Sequence, residues 1–188
     1  MEATTTKLVT ARDLERLEDD DHRYDLIEGV LYRMPLANFE HGAVSGDLQA
    51  RIWKFVGRHK LGVVLAAETG FFLKQYPDTV LGPDVAFVRT ARLPPRETWR
   101  KGFPELAPDL VVEVVSPSES GPSVARKVAA YLAAGVVLVW TLDARRQTIG
   151  VHRAGEAPRT LHVGDVLDGE DVLPGFRLPV AEIFRAFP

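Results

Sequence analysis

The chain has 188 residues, with 26 acidic and 23 basic side chains, a formal net charge of −3 and no cysteine. This length predicts a single domain over residues 1–188, and the missing cysteines exclude disulfides and thiolate metal sites. The slight acidic excess argues against nucleic-acid binding by the whole surface. No apolar run is long enough to span a membrane, and residues 1–6 lack signal-peptide features, so we expect a cytoplasmic protein without membrane contact.

The first half of the chain predicts helices separated by short strands. A capped helix begins after Thr10, and a hairpin turns at residues 28–29. Apolar residues at helical spacing predict a second helix over residues 38–59. Two short strands follow within residues 62–73, and another strand covers residues 84–88.

The second half predicts a strand–helix–strand unit and several short elements. Its segments are, in order, a proline-rich basic loop at 89–108, a buried strand at 110–115, a helix from 122 to Gly135, a buried strand at 136–142, strands at 148–151 and 159–163, and a helix at 180–184. Together these elements predict an α/β fold with a central mixed sheet flanked by helices.

One glutamate lies within an otherwise apolar segment. Residues 110–115 read LVVEVV, a run typical of a strand that is buried on both faces. An ionised carboxylate at Glu113 loses its hydration there, which is costly unless the carboxylate is paired or binds a metal. We therefore expect a cationic side chain or a metal ion beside Glu113.

A lysine is predicted on the buried face of the following helix. Val124, Val128 and Tyr131 form an apolar stripe, and Lys127 lies on the same stripe. Because this stripe packs against the sheet, Lys127 and Glu113 point to one region. Two structural alternatives stand beside a catalytic role, namely a buried Glu113–Lys127 ion pair and a lysine that reaches water along its alkyl stem.

A second acid, Asp84, is predicted near Glu113. It follows Pro83 at a strand start, where an aspartate is most often a turn residue. If the two strands are neighbours, the carboxylates repel each other unless a cation lies between them. Oxygen ligands without cysteine suit Mg²⁺ or Mn²⁺. Such a site fits phosphodiester hydrolysis, in which the metal activates a water and a lysine stabilises the developing charge.

These features resemble the PD-(D/E)xK nuclease superfamily and, more closely, the bacterial Uma family of restriction-type endonucleases. The resemblance extends over residues 10–185. The matching segments are YDLIEG at 24–29, EHG at 40–42, PDVAFV at 83–88 and APDLVVEVVSPS at 107–118, followed by Lys127, Tyr131, Ala134-Gly135, Val139-Trp140 and Asp143.

The resemblance implies a restriction-endonuclease-like fold and an endonuclease that hydrolyses DNA. Asp84 and Glu113 would hold Mg²⁺ or Mn²⁺, and Lys127 would lie beside the attacking water. We also expect a homodimer, because cutting both strands favours two sites. Two alternatives remain: a catalytically degenerate nuclease fold that serves as a binding or assembly module, and a metal-dependent hydrolase that acts on RNA or nucleotides.

The chain departs from the family pattern at two positions. The usual superfamily lysine lies two residues after the acid, where this chain has Val115, so the resemblance implies that Lys127 has replaced it. The Uma hairpin usually carries a glutamate where this chain has Asp25. Asp25 or its neighbour Glu28 is therefore the candidate supporting acid, and a solvated hairpin end is the alternative for both.

Three basic side chains are candidate nucleic-acid contacts. His41 lies near the start of the second helix and could contact a phosphate or a metal, and a surface or helix-N-terminal histidine is the alternative explanation. Arg89 and Arg92 belong to the basic, proline-rich loop and could contact phosphates. A solvated charged loop is the alternative explanation for these two arginines.

Overall fold

The computed structural model describes residues 2–3, 8–17 and 22–185. Its helices are α1 (Ala11–Glu15), α2 (Phe39–His59), α3 (Gly121–Ala133) and α4 (Val180–Phe184). Each begins within about one residue of its predicted start, because capping residues mark the first three: Thr10, Asn38 and Ser120 accept a main-chain N–H with their side chains. Among the described residues, no helix is both long and apolar enough to cross a membrane.

The strands of the described residues form three sheets. They are β1 (Glu2–Ala3), β2 (Arg23–Ile27), β3 (Val30–Met34), β4 (Gly62–Ala66), β5 (Phe71–Lys74), β6 (Thr79–Leu81), β7 (Val85–Arg89), β8 (Leu110–Val114), β9 (Leu138–Asp143), β10 (Thr148–His152), β11 (Arg159–Leu161), β12 (Val166–Asp168) and β13 (Arg177–Pro179). The three-residue strands β6, β12 and β13 were not predicted, because so short a segment carries no clear periodicity.

The central sheet is mixed, as predicted. Its strand order is β11-β10-β9-β8-β7-β4, in which β8 and β9 run parallel and the other neighbours are antiparallel. Helix α3 connects the two parallel strands, as the strand–helix–strand pattern predicted. A second, antiparallel sheet has the order β1-β3-β2-β6-β5, and β12 pairs with β13.

The two faces of the central sheet have different neighbours. Val112 and Val114 of β8 pack against the buried stripe of α2, whereas Val111 packs on the opposite side with α3 and with Ile27 of β2. Because side chains alternate along a strand, Glu113 projects to the same side as Val111. The second sheet and α3 therefore enclose Glu113, and β2 brings its own side chains to the same region.

Candidate active site

Glu113 is buried in β8, between α3 and the second sheet. Both of its carboxylate oxygens have a donor: the Lys127 Nζ lies 2.6 Å from Oε2, and the Tyr131 hydroxyl donates to Oε1 at 2.6 Å. Lys127 and Tyr131 are four residues apart on α3 and therefore share one face of the helix. The predicted meeting of Glu113 and Lys127 is thus confirmed.

Lys127 is only 4% exposed, which excludes the alternative in which its ammonium reaches water. Besides Glu113, it contacts Asp25, whose Oδ2 lies 3.5 Å from Nζ. Burial lowers the pKa of Lys127, but Glu113, Asp25 and Glu119 outweigh this effect and raise the pKa above its usual value. The ammonium therefore stays charged across the physiological pH range.

Asp25 reaches the site from the second sheet. Its Oδ1 accepts the main-chain N–H of Gly82 at 3.3 Å, while the buried Oδ2 accepts no hydrogen bond from any described residue. Its neighbour on the same face of β2, Ile27, packs against the core beneath α3. The hairpin acid predicted to support the site is therefore in contact with its ammonium.

Asp84 immediately precedes β7 and lies beside the end of β8. Its Oδ2 accepts the main-chain N–H of Val114 at 2.7 Å and lies 3.2 Å from Nε2 of His41. Burial would raise the pKa of Asp84, but His41 and the Val114 N–H outweigh it and hold that pKa below its usual value. The carboxylate is thus ionised and fixed next to the residue that follows Glu113.

The buried charges of the site do not balance. Three carboxylates, Asp25, Asp84 and Glu113, are buried together with one ammonium, which contacts Asp25 and Glu113 and lies close enough to Asp84 to lower its pKa. Burial is the main reason that the pKa of Glu113 rises from 4.5 to about 7, and Asp84 and Asp25 raise it further although Lys127 opposes them. The arrangement therefore has an excess of negative charge that a further cation would relieve.

The side chains of the site have the type of ligand atom that a hard divalent cation prefers. Asp84 and Glu113 supply oxygen ligands, and Mg²⁺ is typically held by one or two carboxylates while it keeps several waters. In the part of the chain that the structure describes, no group of three or more His, Asp or Glu side chains has metal-ligand spacing. Asp84 and Glu113 stay the predicted pair for such an ion, and waters would have to complete its shell.

Comparison with known proteins shows the family of the chain. The model of the family Uma2, described as "Putative restriction endonuclease", matches residues 11–181. This chain belongs to the Uma2 family. The resemblance seen in the sequence is thereby confirmed, whereas no curated protein sequence matches this family member.

A solved structure shares the fold of this Uma2 protein. It is the crystal structure of "a putative nuclease belonging to DUF820" from Anabaena variabilis ATCC 29413, with 20% sequence identity and a TM-score of 0.84. The match covers 95% of this chain and 98% of that chain. At this identity the likeness establishes the shared fold, which confirms the predicted architecture.

Three of the predicted residues lie away from the site of this Uma2 protein. Glu28 is exposed at the hairpin turn and pairs with Lys74 at 2.8 Å, so the alternative of a solvated hairpin end describes it. Arg89 and Arg92 both pair with Asp109. Asp109 comes just before the first residue of β8, at the end of the strand opposite to Glu113. These two guanidinium groups neutralise a buried acid of the fold, and their contact with nucleic acid stays a prediction.

His41 is half-buried, and its Nε2 faces Asp84 rather than solvent. The hydrogen bond with Asp84 is the main reason that its pKa rises above 6.5, and burial opposes the rise. Its other ring nitrogen, Nδ1, is buried and has no hydrogen-bond partner among the described residues. His41 thus holds Asp84 in place: it is not a surface side chain, although it does lie in the first turn of α2.

Two residues of the site were missed as candidates. The sequence places Tyr131 in the apolar stripe, although its hydroxyl holds Glu113. Glu119 precedes α3; its Oε2 accepts the Ser116 N–H at 3.0 Å, and its buried Oε1 has no partner among the described residues. A signal was present, because Glu119, Ser123, Lys127 and Tyr131 recur every four residues, the spacing of one helix face.

Proposed function

We propose that the chain is a divalent-metal-dependent endonuclease that hydrolyses DNA phosphodiester bonds. The observation that carries this proposal is the buried cluster in which Glu113 of β8 meets Lys127 of α3 beside Asp84 and Asp25. The Uma2 family is described in terms of restriction endonucleases and the Anabaena protein as a nuclease, and both descriptions support the choice of this activity.

A purely structural ion pair does not account for this cluster. Glu113 and Lys127 alone would neutralise each other, but Asp25 and Asp84 add two buried negative charges. Half-buried His41, even when protonated, offsets only one of them. Buried charge of this kind costs stability, so a protein under selection for folding alone would be expected to carry apolar residues instead.

Each side chain has a defined task in the proposed reaction. Asp84 and Glu113 would bind Mg²⁺ or Mn²⁺, which when bound polarises the phosphoryl oxygen and acidifies a water. Lys127, held in place by Glu113 and Asp25, would stabilise the hydroxide and the charge that develops on the phosphoryl group. Tyr131 fixes the orientation of Glu113, and the apolar surroundings strengthen these interactions by excluding water.

The first prediction concerns cleavage of plasmid DNA with Mg²⁺ or Mn²⁺. Glu113→Gln is expected to lose at least about 100-fold in rate, since it removes a metal ligand of the catalytic centre. Asp109→Asn is the matched control, because Asp109 is an equally buried acid next to the same strand. We expect Asp109→Asn to retain cleavage if it folds, which circular dichroism would verify.

The alternatives give different results in the same experiment. Wild-type protein that binds Mn²⁺ calorimetrically yet cleaves neither plasmid DNA, single-stranded DNA, RNA nor nucleotides would point to a binding module. Cleavage of RNA or nucleotides alone would point to a different hydrolase on the same acids. Sedimentation of the active protein tests the proposed homodimer, which we expect because two sites are needed to cut two strands.

A further inference from the structure

The outward face of α2 carries no charged or polar side chain from Phe39 to Trp53. The exposed residues of this stretch are Phe39, Gly42, Gly46, Ala50 and Trp53. Their spacing of three or four residues places them on one stripe, opposite to the buried stripe that packs on the central sheet. A surface helix of a globular protein ordinarily turns charged residues to water. The exposed stripe therefore has the composition of a contact surface.

Two aromatic side chains form the ends of the exposed stripe. Phe39 is 86% exposed and Trp53 is 65% exposed, and they lie about 21 Å apart along the helix. Folding of a single chain gains little from either side chain, because their apolar surface stays in water. Burial of both in two copies would remove on the order of 600 Å² from water, about half of the smallest area that specific interfaces bury. The helix surface between them has to supply the rest.

The glycines between the aromatic ends have no purpose within a single chain. A Cβ added at Gly42 or Gly46 would meet no atom within 4 Å. Glycine destabilises the middle of a helix relative to alanine, so nothing in the chain itself favours it at these positions. A second helix explains the glycines, because small residues at a contact let two helices approach closely.

The sizes of the side chains on the exposed stripe are symmetric about Gly46. Phe39 and Trp53 each lie seven residues from Gly46, and Gly42 and Ala50 each lie four residues from it. We propose that this stripe is the contact surface of a homodimer, in which α2 packs antiparallel against α2 of a second copy with the twofold axis at Gly46. Each Phe39 then meets Trp53 of the second copy, and the small residues face one another. A twofold contact requires this self-complementarity.

Charged side chains beside the exposed stripe fit the same arrangement. Glu40 and Lys54 each follow an aromatic end by one residue and so lie on the same flank of α2. Neither forms an ion pair with a described residue. In the antiparallel pair, Lys54 comes opposite position 38 of the second copy, about 3 Å along the axis from Glu40 of that copy. Because Glu40 and His41 line a cavity of about 240 Å³ beside Asp84, the second copy would bring Lys54 to the rim of the proposed active site.

Other occupants of the exposed stripe explain less of it. A nucleic-acid strand would find no cation on the stripe itself, and a partner of different sequence would not require the symmetry about Gly46. A lipid surface would favour basic residues beside an apolar stripe, whereas Glu40 and Asp47 are acidic. A second copy of the chain is the occupant that the symmetry and the charges both indicate.

This interface belongs to the homodimer proposed above and rests on it, but sedimentation tests it without cleavage. Gly46→Gln places two bulky side chains at the twofold axis and should raise the dissociation constant of the dimer at least about 30-fold, because overpacking a close contact is costly. The same variant should keep its helical circular dichroism, and its urea midpoint at low protein concentration should not fall, since glycine is the poorer helix former.

Gly57→Gln is the matched control for this variant. Gly57 is exposed on the same face of α2 and also has open space above it. In the antiparallel pair it lies opposite position 35, which precedes α2 of the second copy. Gly57→Gln should therefore change the dissociation constant by no more than about twofold.

Single cysteines report the register of the pair, because the chain has none of its own. Gly46→Cys should form a disulfide-linked dimer under mild oxidation. Gly42→Cys and Ala50→Cys should each cross-link little alone, because like positions are about 12 Å apart along the axis, beyond the reach of a disulfide. A mixture of these two variants should cross-link, since position 42 faces position 50.

The interface is overturned if the wild-type chain stays monomeric at every concentration, or if Gly46→Gln and Gly57→Gln dimerise alike. Cross-linking of Gly42→Cys with itself would overturn the antiparallel register. A monomer that cleaves DNA with dependence on Glu113 would refute the interface and the homodimer but not the nuclease. A dimer that Gly46→Gln disrupts, but that cleaves no nucleic acid under any metal, would support the interface and refute the nuclease.

Discussion

Asp109 and Glu113 are two buried carboxylates, four residues apart at opposite ends of β8, with very different partners. Asp109 accepts the Arg89 main-chain N–H and pairs with the guanidinium groups of Arg89 and Arg92, which are 39% and 38% exposed. Glu113 has one ammonium, which it shares with another acid, and all of its partners are buried. The difference shows that burial of an acid does not by itself indicate a site.

Two features distinguish the surroundings of Glu113 from those of Asp109: the balance between acids and cations, and the access of the cations to water. At Asp109, two cations reach solvent and meet a single acid, as expected for an ion pair that serves the fold. At the Glu113 end, buried acids outnumber the buried cation, and the fold retains this excess at a cost in stability. The functional centre is therefore expected at the Glu113 end of β8, where the partners within the fold do not neutralise the buried acids.

Removal of one cation from each end is expected to give the largest contrast in stability. Lys127→Met leaves Asp25 and Glu113 buried without their ammonium and should lower the free energy of unfolding by about 3–5 kcal/mol at pH 8. Arg92→Met should cost about 1 kcal/mol or less, because Arg89 and water still serve Asp109. Urea denaturation at equal protein concentration measures both values.

Equal losses in these two variants would contradict the comparison, because both ends of β8 would then be ordinary structural pairs. Lys127→Met should also lose cleavage about 100- to 1,000-fold if its ammonium stabilises the developing charge. The Arg92→Met variant serves as the control for cleavage as well.

Local sequence patterns predicted most of this geometry. The apolar run around Glu113 fixed its strand, and helical spacing put Lys127 on the buried face, because both signals depend on neighbouring residues. The capping residues located the helix starts in the same way. These parts of the fold and the site depend only on residues that are close together in the sequence, so a single sequence is enough to predict them.

The remaining parts depend on contacts between distant segments. Both faces of β2 are covered, so alternation of apolar residues could not show whether Asp25 or Glu28 faces the site. Arg92 pairs with Asp109, which lies 17 positions later and just before β8, and no local rule predicts this pairing. Glu119 precedes Ser120, the capping residue of α3, and an acid at that place ordinarily indicates a turn, so its four-residue spacing from Ser123 did not by itself mark a site residue.

The pH dependence of stability distinguishes the same two acids. The pKa of Glu113 is raised from 4.5 to about 7, so the folded state binds more protons than the unfolded state between these values. Stability should therefore fall as pH rises from 4.5 to 7, by on the order of 3 kcal/mol from this group. Glu113→Gln should remove that part of the slope, as urea denaturation at several pH values would show.

Asp109→Asn is the control for this measurement and should leave the slope between pH 4.5 and 7 intact. A wild-type slope that Glu113→Gln leaves unchanged would contradict the account. The lowered pKa of Asp84 makes its contribution fade below pH 3.8, outside this window. The raised pKa of His41 makes its contribution fade above pH 6.5, so His41 adds to the slope only at the upper end of the window.

The smallest expected effect on stability comes from the uncharged hydrogen-bond donor that each of the two buried carboxylates has. For Asp109 this donor is the main-chain N–H of Arg89, which no side-chain substitution removes, whereas for Glu113 it is the Tyr131 hydroxyl. Tyr131→Phe leaves Oε1 of a buried carboxylate without its donor and should cost about 1.5–3 kcal/mol at pH 8.

Tyr32→Phe is the matched control, because its hydroxyl accepts an exposed hydrogen bond from Arg126, and its loss should cost less than about 0.5 kcal/mol. The cost of Tyr131→Phe should also shrink at pH 5, where Glu113 is protonated and needs the donor less. A cost that is the same at both pH values would mean that the phenol acts through packing alone. The charge on Glu113 would then not be what Tyr131 stabilises.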